Sequence, residues 1–245
     1  KAFTISKYAE ITIECNPGTV DKDCLSIYKT YGINRLSFGL QSTNSDELTT
    51  LGRIHDYDSF LKSIDAVLKL GFINYNVDIM YGLPDQNIST LRKTLKDVTM
   101  FRPKHLSVYS LIIEDGTPFY DTYYEDYINQ CQCKNTRYLP DENELCEMTE
   151  FVNAYLAGRG YNQYEISNYA MKGYECRHNI GYWKRLQYIG FGIGAASLFE
   201  EVRYKNITDI DRYIKNWSLS NPVNEYESRE TLTADESMSE FMVLG

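Results

Sequence analysis

Four extended stretches in the first half of the chain each sort their side chains by parity, and that limits what the chain can fold into more than any other feature. Ile11, Ile13 and Cys15, then Leu36, Phe38 and Leu40, then Val77 and Ile79, then Leu106 and Val108 form an apolar set. The intervening positions hold Thr12 and Glu14, Ser37, Gly39 and Gln41, Asn76 and Asp78, and Ser107 and Tyr109. Successive strand side chains point to opposite faces, so each stretch has one greasy face and one polar one. Parallel strands covered by helices on both sides are apolar on both faces. The one-sided pattern predicts that helices cover the apolar face while the polar face lines a lumen, as in a barrel or partial barrel with its site at the strand C-termini.

Helical patterns fall between these strands. Asp21–Tyr31 runs up to Gly32, Asn44–Leu51 is short, and Asp56–Leu70 carries Phe60, Ile64, Val67 and Leu68 on one face before Gly71. Ile88–Phe101 is stopped by Pro103. Strand–helix alternation with short connections is the order of a parallel sheet with right-handed crossovers, so the expected fold class is α/β, a partial (β/α) barrel. Residues 116–140 are a tyrosine- and acid-rich connection of the length used for lids and insertions. Asp141 with Glu144 makes a capping box that opens a helix to Ala157. Gln163–Ile166 is expected as a strand, Asp209–Trp217 as a helix, and Thr233 onward as the start of another. The expected segments are 1–115, the strands with the site; 116–230, the rest of that domain; and 231–245, the start of a further domain.

A net charge of -9 over 245 residues argues against a nucleic-acid partner. No stretch reaches the roughly 18 apolar residues of a membrane span, and no basic-then-apolar leader opens the chain; the expected compartment is the cytoplasm, with membrane met only through a partner. Six cysteines at irregular spacing, none in a C-x-x-C pair, are not a secreted disulfide framework. The chain starts at Lys1 without a Met and stops within an apolar run, and is expected to be a piece of something longer.

Three constellations carry chemistry. Glu14, Gln41, Arg53 and Asp78 suit a small zwitterionic, ribose-bearing ligand: carboxylates accept from ammonium and hydroxyl groups, an amide does both, and a guanidinium forks onto a carboxylate. The same residues suit equally a polar network that stabilises the lumen. His178-Asn-Ile-Gly-Tyr-Trp183 sets an imidazole beside an amide and two large aromatics, a set that can ligate iron and pack on a macrocycle. Arg177, Lys184 and Arg185 flank it as candidate partners for propionates, and a loop histidine with locally packed aromatics is the plainer alternative. The glycines at 190, 192 and 194 lack the G-x-G-x-x-G spacing of a dinucleotide loop.

In sum these residues resemble the radical S-adenosylmethionine proteins of the oxygen-independent coproporphyrinogen III oxidase group. The likeness is carried by Ile13-Glu-Cys-Asn-Pro-Gly18, Asn34-Arg-Leu-Ser-Phe-Gly-Leu-Gln-Ser42, Leu51-Gly-Arg-Ile-His55, Asn76-Val-Asp-Ile-Met-Tyr-Gly-Leu-Pro84, Leu106-Ser-Val-Tyr-Ser-Leu111 and Glu114-Asp-Gly-Thr117, all in family order. It implies that Glu14, Gln41, Arg53 and Asp78 contact S-adenosylmethionine, and that Ile112 does so mainly through its backbone. His178-Asn-Ile-Gly-Tyr-Trp183 is similar to the H-N-x-x-Y-W motif of the HemW branch. That implies heme binding by His178, Asn179, Tyr182 and Trp183, and heme delivery to acceptor proteins. The rivals are a coproporphyrinogen III dehydrogenase, which oxidatively decarboxylates propionates by radical chemistry, and a cofactor-free interaction module that keeps only the fold.

The family's C-x-x-x-C-x-x-C motif for a [4Fe-4S] cluster and its G-G-G-T-P strand are not in these residues and are expected upstream of Lys1. The chain alone is then expected to hold no cluster and to generate no radical, and the resemblance assigns it no catalytic residue.

Overall fold

The computed structural model describes residues 4–218 and 225–244, and the chain divides into two units, Lys1–Glu175 and Cys176–Gly245. The expected boundaries at 115/116 and 230/231 fall inside these units.

The first unit opens with β1 (Thr12–Cys15), α1 (Lys22–Thr30), β2 (Arg35–Gln41), α2 (Ser45–Thr50), α3 (Tyr57–Lys69), β3 (Tyr75–Tyr81), α4 (Ile88–Thr99) and β4 (His105–Ser110). The four strands pair in sequence order, all parallel, as right-handed crossovers require. This is the partial (β/α) barrel read from the parity. On β2–β4 the apolar parity is buried: Leu36, Phe38, Leu40, Val77, Ile79, Leu106 and Val108 pack against Leu25, Phe60, Ile64, Val67, Leu91, Leu95 and Val98 of the covering helices, while Ile11 and Ile13 of the β1 stretch are half-buried. Phe60 anchors the layer, its ring edge-on to Phe38 and Phe101, each at 6.3 Å between centroids. On α3 the buried stripe is Phe60, Ser63, Ile64 and Val67, while Leu68 is half exposed. Position 68 lies too far round the helix, and Ser63 takes the place in the stripe because its hydroxyl accepts from the Gly18 N–H at 3.0 Å.

Helix starts follow side-chain chemistry. Asp21, Asn44 and Asp56 accept from backbone N–H groups one turn on, and Asn87 with Thr90 closes a capping box on α4. Asn87→Ala is expected to lower stability by about 1 kcal/mol, read as a fall in the urea midpoint with an unchanged slope.

Residues 116–140, expected as an open connection, contain α5 (Pro118–Cys131), capped by the Thr117 hydroxyl and started by a proline in its first turn. Its return is pinned by buried Asp126, which accepts from the backbone N–H groups of Arg137, Tyr138 and Leu139. Those bonds hold its carboxyl below the usual range against the opposing effect of burial, which is the largest single influence on it. Then α6 (Glu142–Ala157) starts at the predicted capping box of Asp141 and Glu144. The expected strand at 163–166 is instead a hairpin of β5 (Asn162–Gln163) and β6 (Asn168–Ala170), with Ile166 exposed in its turn. β6 runs antiparallel to β4.

The second unit holds α7 (Arg177–Trp183), β7 (Ala196–Phe199), β8 (Val202–Asn206), α8 (Ile210–Trp217), β9 (Tyr226–Thr231) and α9 (Ala234–Leu244). β7, β8 and β9 form an antiparallel sheet. The glycine-spaced run lies along this hairpin: Tyr188 pairs with Leu198, and Asn206 Nδ2 donates to the Gly192 carbonyl at 2.8 Å. It is a strap on a sheet, not a phosphate loop. Arg185 is ion-paired to Glu201 and Glu240, tying α9 to the β7–β8 turn.

Candidate functional site

The polar parity of β1–β4 meets as one wall. β2 ends in a bulge between Gly39 and Gln41, and Gln41 sits at φ 72°, a left-handed conformation that costs a non-glycine residue about 1–3 kcal/mol. Bulges re-aim side chains, and here the buried Gln41 carbonyl oxygen accepts from the Tyr109 hydroxyl at 2.9 Å. That leaves the Gln41 NH2 as the donor end. It lies over Gly39: a Cβ there would stand 3.3 Å from Gln41 Nε2, 3.7 Å from Asn16 Oδ1 and 4.0 Å from Asp78 Oδ2. Glycine at 39 thus keeps open a cradle rimmed by an amide donor, an amide acceptor and a carboxylate.

Asp78 pairs in register with Gly39 on one side and Ser107 on the other. Burial pushes its carboxyl up; hydrogen bonds from Asn76 and Ser107 oppose that, the negative charge of Glu14 adds to it, and Arg35 pulls it down. Glu14 itself is exposed at the end of β1. Tyr109 is pushed up by burial and by Asp78, against the Arg53 charge and the bond with Gln41. Gln41, Asp78 and Tyr109 therefore come together, with Glu14 and Arg53 acting through their fields. Arg53 is exposed, with no hydrogen bond to the cluster. Ile112 is 77% exposed in the stretch after β4.

The polar face is more self-contained than an open wet lumen. Asn76 Nδ2 donates to Ser37 Oγ at 2.9 Å and to Asp78 Oδ1 at 2.6 Å. Its Oδ1 meets His105 Nδ1 at 2.7 Å, and His105 Nε2 meets the Tyr164 hydroxyl at 2.7 Å. Arg35 is 4% exposed, with its Nε lacking a hydrogen-bond partner. Arg35, Asn76, His105 and Tyr109 were not singled out from sequence as site residues, although parity had already placed Asn76 and Tyr109 on this face. His55 is buried, and its Nε2 lies 3.2 Å from the Leu40 carbonyl, steadying the strand end before Gln41.

Burial, reinforced by the Arg35 charge, pushes His105 down to about 3. The unfolded imidazole titrates near 6.5 and so binds a proton that the folded one refuses. Stability from His105 is present above about pH 6.5 and is lost as pH falls, by about 1.4 kcal/mol per unit. The raised Asp78 works in the opposite sense, nearer the carboxylate range. Urea unfolding is therefore expected to show about 2 kcal/mol less stability at pH 5 than at pH 7, with the slope flattened in His105→Asn.

In the second unit, α7 holds the His178–Trp183 segment. His178 and Tyr182 fall on one face at i, i+4, rings edge-on at 4.5 Å, and Tyr182 meets Tyr188 edge-on at 4.7 Å. His178 and Tyr182 are exposed, Asn179 and Trp183 half-buried. Leu186, 57% exposed, lies beside Gly181. Arg185 is engaged by its two glutamates, which corrects its candidacy as a propionate partner; Lys184 is exposed.

Residues 1–98 match the Radical SAM superfamily. The chain is 35% identical over 240 residues to the heme chaperone HemW of Bacillus subtilis, covering 98% of this chain and 60% of that protein. It is 39% identical over 187 residues to HemW of Escherichia coli, covering 76% and 46%. The chain spans only about three fifths of the first relative's length. Among solved structures, the coproporphyrinogen III oxidase HemN of Escherichia coli, a radical SAM enzyme, superposes with a TM-score of 0.75 at 22% identity over 96% of this chain and 54% of that one. This supports the partial-barrel fold. No helix among the described residues is long and apolar enough to cross a membrane.

Among the described residues no group of three or more His, Cys, Asp or Glu side chains could hold a metal ion, so the residues present do not fit an iron–sulfur cluster. The donors and acceptors around Gly39 differ in kind, the chemistry that a ligand such as S-adenosylmethionine, with ammonium, carboxylate and hydroxyl groups, would need.

Proposed function

We propose that this chain is part of a HemW-type heme chaperone that, when complete, binds heme, S-adenosylmethionine and a [4Fe-4S] cluster and passes heme to acceptor proteins in the cytoplasm. The observation that carries this reading is α7, a short helix that presents His178 to solvent against the edge of Tyr182, within a chain whose curated relatives bear the HemW name. An exposed imidazole can ligate iron, and Tyr182, Trp183 and Leu186 offer a ring face and apolar area to a porphyrin.

In the first unit, Asp78 and Glu14 would accept from the ligand's hydroxyl and ammonium groups, Gln41 Nε2 would donate, and Arg53 and the Ile112 backbone would close the rim. When bound with its cluster, S-adenosylmethionine supplies radical chemistry. The described residues include no group that would ligate the cluster.

Hemin added to the purified complete protein is expected to give a saturable Soret shift, and transfer to an apo-acceptor without porphyrin turnover. Protoporphyrinogen formed from coproporphyrinogen III would decide for the dehydrogenase, and no saturable shift would decide for an interaction module.

A further inference from the structure

A largely buried hydrogen-bond series in the first unit ends on Asp78. It begins at Tyr164, before β6, and runs through His105 at the foot of β4 and Asn76 at the foot of β3, with steps of 2.7, 2.7 and 2.6 Å. Its direction is forced from the Asp78 end. An ionised carboxylate only accepts, so the Asn76 group facing it is the NH2. The second hydrogen of that NH2 goes to Ser37 Oγ at 2.9 Å. The amide oxygen therefore faces the other way, towards His105, with the Ser107 hydroxyl 3.3 Å away and its one hydrogen shared between that oxygen and Asp78. That oxygen can only accept, so His105 Nδ1 must carry the hydrogen. A neutral imidazole has one N–H, which makes Nε2 the acceptor and Tyr164 the donor.

We propose that His105, held in its neutral Nδ1–H tautomer by Tyr164, is a positioning residue that acts through Asn76 to hold Asp78 as an oriented acceptor for its ligand. A flipped Asn76 would aim an oxygen at the carboxylate and leave both groups unsatisfied where burial makes that expensive. The Nδ1–H is what prevents the flip. The other ionisable groups acting on this wall are Glu14 from β1, Arg35 from β2 and Tyr109 from β4. Arg35 favours the neutral imidazole at one end and the ionised carboxylate at the other. Assigning the ligand as S-adenosylmethionine rests on the reading above; the series itself does not.

The chain has three histidines, so single substitutions assign each ring. In nitrogen-15 spectra of the unaltered, ligand-free chain, His105 is expected to keep Nδ1 protonated and Nε2 bare, without titrating between about pH 5 and 8. The Nε2–H tautomer, or an ordinary titration, overturns the proposal without any variant having to fold. Carbon-13 carboxyl spectra then follow Asp78, assigned by Asp78→Asn. His105→Leu is expected to move its midpoint to higher pH, while His105→Asn, whose amide can replace the Nδ1–H, restores it. An unmoved midpoint in His105→Leu also overturns the proposal. In the complete, cluster-loaded protein, His105→Leu is expected to bind S-adenosylmethionine about tenfold more weakly. If Asp78→Asn binds it as well as the parent does, the ligand reading fails while the series stands on its spectra.

Discussion

Gly39→Val is expected to abolish S-adenosylmethionine binding in the complete, cluster-loaded protein while the first unit stays folded. Gly39 is not in a left-handed conformation, so a side chain there meets no backbone penalty, and the effect comes from what the side chain occupies. Its Cβ would stand 3.3 Å from Gln41 Nε2 and 4.0 Å from Asp78 Oδ2, inside the space between the two groups that would grip the ligand. The two further methyl carbons of valine leave no room for a ribose or an amino-acid moiety between them. Gln41 cannot easily retreat, because its oxygen is bonded to Tyr109 and its backbone is held in the bulge. Small-to-large substitution in a packed site costs about 1–3 kcal/mol. Calorimetry is expected to show no binding heat for valine and about tenfold weaker binding for Gly39→Ala, with both variants melting cooperatively. Undiminished affinity in a folded valine variant would remove the ligand from this cradle.

Parity made the sheet legible because it is a local property: alternate residues of one strand need no knowledge of the next. Leu36, Phe38 and Leu40 could be assigned to the helix-covered face and Gln41 to the lumen from seven consecutive residues. The bulge that gives Gln41 its positive φ is a relation between two strands, and the letters Gly39-Leu-Gln41 do not encode it. His105 was placed at a strand start but not in the site, since its role depends on Tyr164, 59 positions later. Arg35 opens β2, and its burial comes from the strands packed around it. α5 was missed although Thr117-Pro118 is a helix-start signal, because the tyrosine-rich run after it lacks an apolar stripe. β9 was missed for a related reason: nearly all of its side chains are exposed, so no burial pattern marks it.

His178→Ala is expected to remove the saturable Soret shift seen when hemin is added to the parent protein. The imidazole is exposed and has Tyr182 edge-on at 4.5 Å, so its loss opens no cavity in the core, and the melting temperature should stay near that of the parent. Losing the sole ligating side chain of a site takes away the coordinate bond itself, whereas losing a packing partner weakens binding by about 1 kcal/mol. Tyr182→Ala is therefore expected to keep the shape of the shifted band with about fivefold weaker affinity, and Tyr182→Phe to bind as the parent does. Lys184→Ala should change affinity little and mainly in its salt dependence, since an exposed charge on a propionate is screened. An identical band in His178→Ala would place the iron ligand elsewhere. Three histidines make the follow-up short: His105 is buried and bonded at both nitrogens, and His55 is buried against the Leu40 carbonyl, so neither can take over iron without local unfolding. A shift surviving in His178→Ala would then have to come from another kind of ligand, a cysteine thiolate, a methionine or a tyrosine, and its loss after thiol alkylation would identify a cysteine.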